Sequence, residues 1–197
     1  PTYIVGGVVA STGYNAAAGS GPAFVIEADP EVSARLGYEE VEVPRMANGD
    51  FEPGAITRVG LFEFMIGNTD WALRAGRDGA PCCHNGLLLR RPDGLHVMVP
   101  YDFDQAGLID ADYAVPAPAL RIDSVRRRLF RGLCTGEDYY NDAIALFNAR
   151  RGQLDALFPE GGDRKRPNRR ARRYIAEFFD IINDPQERQA WVAKNCR

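Results

Sequence analysis

FEFMIGNTDWALRAGRDGAPCCHNGLLLRRPDGLHVMVPYDFDQAG, residues 62–107, is the stretch that decides the fold. It passes from an apolar helix end through a polar loop into two apolar runs. Pro92-Asp93-Gly94 lies between those runs and predicts the turn of a β-hairpin. Polar side chains suited to chemistry lie before and after this hairpin. They are Asp70, His84, Asn85, Asp102 and Asp104.

Helical patterns lie on both sides of the hairpin. Pro53 to Gly67 carries closely spaced apolar residues and ends at a glycine, which predicts a buried helix. An earlier helix is predicted from an N-cap at Asp29, with Pro30 in its first position, to a stop at Gly37. Three amphipathic segments follow the hairpin before a last helix from Glu187. They are SVRRRLFRGL (124–133), EDYYNDAIALFNARRGQLDALF (137–158) and YIAEFFDIINDP (174–185).

Strand patterns are concentrated near the N-terminus. TYIVGGVVA (2–10) and AFVIEA (23–28) are apolar enough for buried strands, and YEEVEVPRM (38–46) alternates as a further strand or an extended linker. The sequence therefore predicts an α+β fold with a small N-terminal β portion, one hairpin and a mostly helical remainder.

Composition sets few limits on function. The 197 residues suffice for one domain, the apolar fraction of 45% can fill a core, and the net charge of −3 gives no general attraction to nucleic acid. No apolar run is long enough to span a membrane. The basic block Arg164–Arg173 contains no aromatic residue, so we expect a solvated loop there rather than a nucleic-acid contact.

The four cysteines, Cys82, Cys83, Cys134 and Cys196, leave the compartment open. None belongs to a C-x-x-C pair, which disfavours a zinc site. Because adjacent cysteines seldom bond to each other, Cys82 or Cys83 would pair with Cys134 or Cys196. Two such disulfides favour the periplasm or secretion, whereas four reduced thiols favour the cytoplasm.

The polar side chains of the 62–107 stretch suit phosphate chemistry. Asp70 could accept a proton from an attacking hydroxyl, and His84 could orient Asp70 or contact phosphate. Asp102 and Asp104 end a hairpin strand and point to the same side, where two like charges favour a divalent cation. Since the hairpin brings Asn85 next to Asp102, we expect their oxygens to share Mg²⁺ or Mn²⁺ opposite Asp70.

The same order of groups occurs in protein kinases: a catalytic Asp, a metal-binding Asn, a hairpin and a metal-binding Asp. MIGNTDW, CCHN and VPYDFD resemble the atypical branch of that fold, the CotH-type spore-coat kinases and the HipA-type kinases. They look most like a bacterial group of uncharacterised proteins with these three motifs. The resemblance covers roughly residues 24–136. It implies a kinase-like C-terminal lobe over 29–197 and a remnant of an N-terminal β lobe with its hinge over 1–28.

The resemblance also implies roles for individual residues. Asp70 is similar to the catalytic base, Asn85 and Asp102 are similar to the metal ligands, and Asp104 is similar to an added or alternative ligand. FVIEADPEVSARLG (24–37) resembles the hinge strand and the helix after it, which implies that Glu27 lies near the adenine. The implied cofactors are ATP and Mg²⁺ or Mn²⁺. The phosphoacceptor and the oligomeric state are left open.

The sequence departs from the kinase pattern in two ways. Asp70 and Asn85 are fifteen residues apart, against about five in ordinary kinases, so the loop between them must bulge out. The 23 residues before Phe24 contain no lysine and no G-x-G-x-x-G loop to hold phosphates, so the chain is expected to be a C-terminal lobe of a longer protein or a degenerate kinase. Two alternatives stay open. One is a non-catalytic kinase-like binding module, and the other is a metal-dependent phosphoesterase that uses the same acidic residues with His84.

Overall fold

The computed structural model describes residues 27–160 and 165–195. Over these residues the fold is α+β, as predicted, with five helices and one three-stranded antiparallel sheet. The helices are α1 (Asp29–Leu36), α2 (Pro53–Ile66), α3 (Glu137–Ala156), α4 (Lys165–Asn183) and α5 (Pro185–Asn195). The strands are β1 (Glu39–Glu40), β2 (Gly86–Arg90) and β3 (His96–Pro100). Two 3₁₀ turns, Asn48–Asp50 and Pro118–Leu120, complete the order.

The predicted N-terminal β portion falls almost entirely outside the described residues. The strand predicted at 2–10 lies there, as does most of the strand predicted at 23–28, so the boundary after residue 28 stays a prediction. The YEEVEVPRM segment forms the short strand β1 and then a single antiparallel bridge from Val43 to Cys82.

Helix α1 begins one residue earlier than predicted. Ala28 is the N-cap, and Asp29 occupies the first helical position. The negative charge of Asp29 there interacts favourably with the positive end of the helix dipole. Gly37 ends the helix at a φ of +68°, as predicted.

Helix α2 is the predicted buried helix, and it packs against α3, α4 and β3. Pro53 occupies its first turn, and the Glu52 side chain accepts hydrogen bonds from two backbone N–H groups of that turn. The helix ends where Gly67 adopts a φ of +68°. Space also requires a glycine there, because a Cβ at Gly67 would lie 2.0 Å from the hydroxyl oxygen of Tyr174.

Strands β2 and β3 form the predicted hairpin, in which Gly86 pairs with Pro100 and Arg90 pairs with His96. Strand β1 pairs with the Arg90 end of β2 and completes the sheet. Leu89 packs against Val32 of α1, whereas Leu88 joins a different apolar cluster, because neighbouring residues of a strand point to opposite faces. The sheet therefore has apolar contacts on both faces.

The largest apolar core lies between α2, α3, α4 and α5. It is rich in aromatic rings, and several of these rings meet edge to face, an arrangement that adds to the stabilisation from burial. Its aromatic members are Phe64, Phe130, Tyr140, Phe178, Phe179 and Trp191. Among the described residues, no helix is both long enough and apolar enough to cross a membrane.

The segment 124–133 is not a helix, so that prediction was wrong. The chain is irregular there, although Val125 and Phe130 are buried. Arg128 and Arg131 donate hydrogen bonds to backbone carbonyls of other segments, those of Phe64, Met65, Thr69 and Tyr174. Arg128 thus adds donors to the carbonyl groups of Phe64 and Met65 at the end of α2, a role that an amphipathic pattern does not reveal.

The basic block was predicted to be a solvated loop, and this prediction was also wrong for its described part. Residues 165–173 form the first turns of α4. The apolar stripe of α4 begins inside the block at Ala171 and continues through Tyr174 and Ile175, so the helix extends from this anchored stripe into the basic residues. Most of these basic side chains are exposed, as expected.

Cys82 and Cys83 form a disulfide with each other, so the predicted link from this pair to Cys134 or Cys196 was wrong. Two antiparallel bridges, Val43 to Cys82 and Ala72 to His84, hold this part of the loop. The two sulfur atoms lie 3.1 and 3.5 Å from the carbonyl oxygen of Leu73. Cys134 is also disulfide-bonded.

Candidate functional site

The segment after α2 places Asp70 at the end of a buried helix. Asn68 is buried, and its side-chain oxygen accepts a hydrogen bond from the backbone N–H of Asp70 at 2.9 Å. The indole N–H of Trp71, which is 2% exposed, donates to the backbone oxygen of Asn68 at 3.2 Å. The backbone on both sides of Asp70 is therefore held by buried groups, while its side chain is partly exposed.

The 71–85 loop is long, yet it returns Asn85 to Asp70. Ala72 and His84 exchange two backbone hydrogen bonds of 3.1 Å, which close the base of the loop. Asn85 Nδ2 then donates to the backbone oxygen of Asp70 at 2.7 Å and to Asp70 Oδ2 at 3.3 Å. His84 Nε2 lies 3.2 Å from Asp70 Oδ1. The fifteen-residue spacing is thus compatible with direct contact between Asp70 and Asn85.

The hairpin brings Asp102 to the same place. Its register pairs Gly86 with Pro100, and the N–H of Tyr101 donates to the backbone oxygen of Asn85 at 3.1 Å. Asp102 is the next residue along the chain. Asn85 has a φ of +53° and Asp102 has a φ of +59°, a left-handed backbone that costs energy and is seldom found outside turns and functional sites.

Asp102 and Asp104 are close, but not for the predicted reason. Strand β3 ends at Pro100, so both aspartates lie in the turn that follows the strand. Although the Asp102 side chain is mostly exposed, its partial desolvation is the largest cause that raises its pKa. The negative charges of Asp104 and Asp70 raise the pKa further, and a hydrogen bond from the Asp104 backbone lowers it. The three carboxylates are therefore close enough for their charges to interact.

Asp104 has its own set of partners. Gln105 Nε2 donates to Asp104 Oδ2 at 3.3 Å. The Tyr113 hydroxyl interacts with the same carboxylate, and the charge of Asp104 is the main cause that raises the pKa of Tyr113. Asp104 is therefore partly engaged within the protein, whereas Asp102 is exposed and available to a ligand.

The cations of this region gather around Asp70. Arg77 Nη2 forms an ion pair with Asp70 Oδ1 at 2.7 Å. Arg131 donates to the neighbouring carbonyl of Thr69, and burial lowers its pKa while the charge of Asp70 raises it. Within the described residues, no Arg, Lys or His forms an ion pair with Asp102 or Asp104. The charge is therefore compensated at Asp70 and uncompensated at the other two carboxylates.

A cleft of about 310 Å³ opens beside Asp70. Its polar wall contains Asp70, Arg77 and Gln105, and its apolar wall is formed by residues 115–118 and Val125. Two larger depressions lie elsewhere, of about 560 Å³ beside Cys134 and about 640 Å³ beside Arg45, and neither includes a predicted site residue.

The donor set near Asp102 fits a cation that is only partly coordinated by protein. Within the described residues, no three side chains of His, Cys, Asp or Glu form a group that could hold a metal ion by themselves. Asn85 and Asp102 would supply one oxygen each, and Mg²⁺ is commonly bound by one or two protein oxygens together with water and substrate phosphates. The uncompensated charge of Asp102 and Asp104 agrees with such an ion.

Glu27 does not join the other predicted site residues. It lies just before α1 and forms an ion pair with Arg35 of that helix at 2.7 Å, and this partner lowers the pKa of Glu27. Helix α1 contacts the sheet at β1, which pairs with the Arg90 end of β2, while Asn85 adjoins the opposite end. The structure thus brings Asp70, His84, Asn85, Asp102 and Asp104 together and leaves Glu27 apart.

Comparisons with protein-family models, with curated proteins and with solved structures gave no match. The family resemblance therefore stays an expectation that rests on the three quoted motifs.

Sequence reasoning missed three side chains at this site. Arg77 lies in the predicted polar loop, where no residue was singled out. Arg131 lies in the segment 124–133, which was predicted to be a helix. Glu63 is fully buried behind the Asp70 segment. A signal for Glu63 was present, because it is the one charged residue in the apolar run LFEFMI (61–66).

Proposed function

We propose that the protein is a metal-dependent, kinase-like phosphotransferase that moves the γ-phosphate of ATP to a hydroxyl group of an acceptor. One observation carries the proposal. Asn85 hydrogen-bonds to Asp70, and the charges of Asp70 and Asp104 reach Asp102, so a base, an amide oxygen and an uncompensated carboxylate share one space. Such a set suits the positioning and electrostatic work of phosphoryl transfer.

The proposed roles follow from the contacts. Asp70 accepts the proton of the acceptor hydroxyl, and His84 orients its carboxylate from 3.2 Å. Asn85 and Asp102 hold Mg²⁺ or Mn²⁺, with Asp104 as an added or alternative ligand. When bound, this ion offsets the negative charge of the phosphates.

The acceptor is expected to enter the cleft beside Asp70, because this is the face on which the carboxylate meets open space. Its oxygen forms the new bond to the γ-phosphorus, its proton passes to Asp70, and the bond from the γ-phosphorus to the bridging oxygen breaks to release ADP. The proposed site near Glu27 for the adenine rests on the family resemblance alone.

The test is transfer of labelled γ-phosphate from ATP in the presence of Mg²⁺ or Mn²⁺. Asp102→Asn and Asp70→Asn are each expected to lower transfer by about 10²–10⁴-fold. Asp93→Asn is a matched control, because Asp93 is an exposed aspartate at the turn of the same hairpin. Transfer that is unaffected by Asp102→Asn would contradict the proposed metal ligand.

A non-catalytic kinase-like binding module is the second candidate, and one observation favours it. The ion pair with Arg77 at 2.7 Å occupies Asp70 Oδ1, an oxygen that a base would present to the acceptor hydroxyl. Arg77→Ala separates the two functions. It is expected to preserve or increase transfer in an active kinase, whereas a protein that transfers no phosphate with either residue at position 77 is better described as a binding module.

A further inference from the structure

Glu63 is a carboxyl group buried inside α2 next to the candidate site. Its side chain is 0% exposed and is surrounded in sequence by apolar residues. Within the described residues, neither of its oxygens has a hydrogen bond of good geometry. A buried carboxylate without a partner is costly, so this environment favours the neutral acid.

The group that faces Glu63 is the side-chain amide of Asn68. Asn68 is 1% exposed, and its Nδ2 also lacks a hydrogen bond of good geometry among the described residues. Its backbone N–H donates to the backbone oxygen of Glu63 at 2.9 Å. Burial raises the pKa of Glu63 to about 8, and the Asn68 amide is the one group that lowers it.

Asn68 in turn holds the backbone of the proposed base. Its Oδ1 accepts from the Asp70 N–H at 2.9 Å, and its backbone oxygen accepts from the Trp71 indole at 3.2 Å. A backbone hydrogen bond therefore links Glu63 to Asn68, the buried carboxyl group adjoins the Asn68 amide, and the Asn68 side chain links this position to the backbone of Asp70.

We propose that the buried Glu63 carboxyl group is a positioning residue that orients the Asn68 amide and thereby fixes the backbone of Asp70. Loss of the Glu63 proton leaves a charge in a buried site, and the hydration that this charge requires loosens the 68–71 segment. The link to catalysis rests on the proposed function of Asp70, but the positioning itself does not.

Trp71 makes the proposal testable without any activity. The chain has two tryptophans, so Trp191→Phe leaves Trp71 as the single emitter. Trp71 is buried and bonded to Asn68, so its emission reports on this segment. In the Trp191→Phe protein we expect a red shift of the emission with a midpoint near the pKa of about 8. In the same protein with Glu63→Gln we expect no such transition, because glutamine keeps the shape and cannot ionise.

Other ionisable groups face the segment and must be separated from Glu63. They are Arg77, His84, Arg131, Asp102 and Tyr174, whose hydroxyl adjoins Gly67. All of them are present in both proteins, so any change that they cause appears in both curves. A transition that persists in the Glu63→Gln protein, or the absence of a transition with Glu63 present, would overturn the proposal.

A second measurement needs no variant at position 63. The side-chain carboxyl carbons of ¹³C-labelled glutamates can be titrated by NMR in the unmodified chain. One resonance is expected to titrate near pH 8 while the native fold persists. If every glutamate titrates below pH 6, Glu63 is not a neutral acid and the proposal fails.

The catalytic consequence is measured separately. If the chain transfers phosphate, kcat is expected to fall above pH 8 with Glu63, and this fall is expected to be absent in Glu63→Gln while KM for ATP changes little. An absence of transfer in both proteins counts against the proposed function alone, since the fluorescence result still decides the positioning role. A kcat profile that is identical in the two proteins counts against the link to catalysis.

Discussion

At the scale of single residues, Glu63 couples the stability of the fold to pH. The ordinary pKa of a glutamate side chain is 4.5, and burial in the folded protein raises that of Glu63 to about 8. Between these values the folded state keeps a proton that the unfolded state has lost. The free energy of unfolding must therefore fall as the pH rises from about 4.5 to about 8, and then level off.

Glu63→Gln is expected to remove this dependence. Near pH 5 the variant and the unmodified protein should differ little, because both carry a neutral side chain in the fold. At pH 8.5 the variant should be the more stable by on the order of 4 kcal/mol, since each pKa unit corresponds to about 1.4 kcal/mol. Urea unfolding at several pH values measures the difference. Two parallel stability curves would show that Glu63 does not carry a raised pKa.

At the scale of secondary structure, two glycines end their helices in the same way but in different surroundings. Gly37 after α1 and Gly67 after α2 both have a φ of +68°. A Cβ at Gly37 would meet no atom within 4 Å, whereas one at Gly67 would lie 2.0 Å from the Tyr174 hydroxyl. The pair thus separates the cost of the backbone conformation from the cost of steric overlap.

Gly37→Ala is expected to cost about 1 kcal/mol, the usual penalty for a left-handed alanine. Gly67→Ala should cost at least about 2 kcal/mol more, because Tyr174 must move and lose its hydrogen bond to the Arg126 carbonyl. Thermal or urea unfolding of the two variants gives the comparison. Equal losses would mean that Tyr174 gives way without cost.

The irregular 124–133 segment is held by the contacts of Arg128 rather than by the amphipathic pattern of its sequence. Arg128 is stacked at 3.6 Å from the centre of the Tyr174 ring and donates to carbonyls at the end of α2. Its side chain is only 7% exposed. Arg127 beside it is exposed.

Arg128→Met is expected to cost about 2–4 kcal/mol, because it removes the guanidinium hydrogen bonds to Phe64 and Met65 and the stacking on Tyr174. Arg127→Met, which removes the same charge from the surface, should change stability by less than about 0.5 kcal/mol. Equilibrium unfolding in urea distinguishes the two. A small loss for both variants would show that solvent replaces the contacts of Arg128.

Local sequence patterns predicted the elements that depend on neighbouring residues. They failed where contacts with residues distant in sequence determine the structure. The hairpin around Pro92-Asp93-Gly94 and the glycine that ends α2 are both determined by residues adjacent in sequence, and both are present in the structure. Arg128 contacts carbonyls more than 60 residues earlier in the chain, which no local period can reveal.

At the scale of the whole molecule, ligand binding to the folded state should raise the melting temperature. The proposed site would bind Mn²⁺ with ATP, and the free energy gained is about 1.4 kcal/mol at ten times the dissociation constant. For a chain of this size this corresponds to a rise of about 3–5 °C. Asp93→Asn should keep the shift, and Asp102→Asn should lose most of it. An absence of stabilisation at millimolar nucleotide would favour the binding module.

The candidate site was predictable in its chemistry and less so in its arrangement. The residue types and the hairpin were enough to expect Asn85 beside Asp102. The direct contact from Asn85 to Asp70 depends on the Ala72 to His84 bridge, and the ion pair from Arg77 depends on how the loop folds back. Glu63 was not predicted as a site residue, because the role of a single charged residue in an apolar helix can be inferred only once its burial is known.

The bridge between Ala72 and His84 has a practical consequence for protein engineering. The bridge holds the two ends of the 71–85 loop together, so the distance between Asp70 and Asn85 does not depend on the tip of the loop. Asp78 and Gly79 at the tip are exposed. A foreign epitope or fluorophore attachment sequence inserted between these two residues would give a label close to the cleft while the Ala72 to His84 bridge is kept.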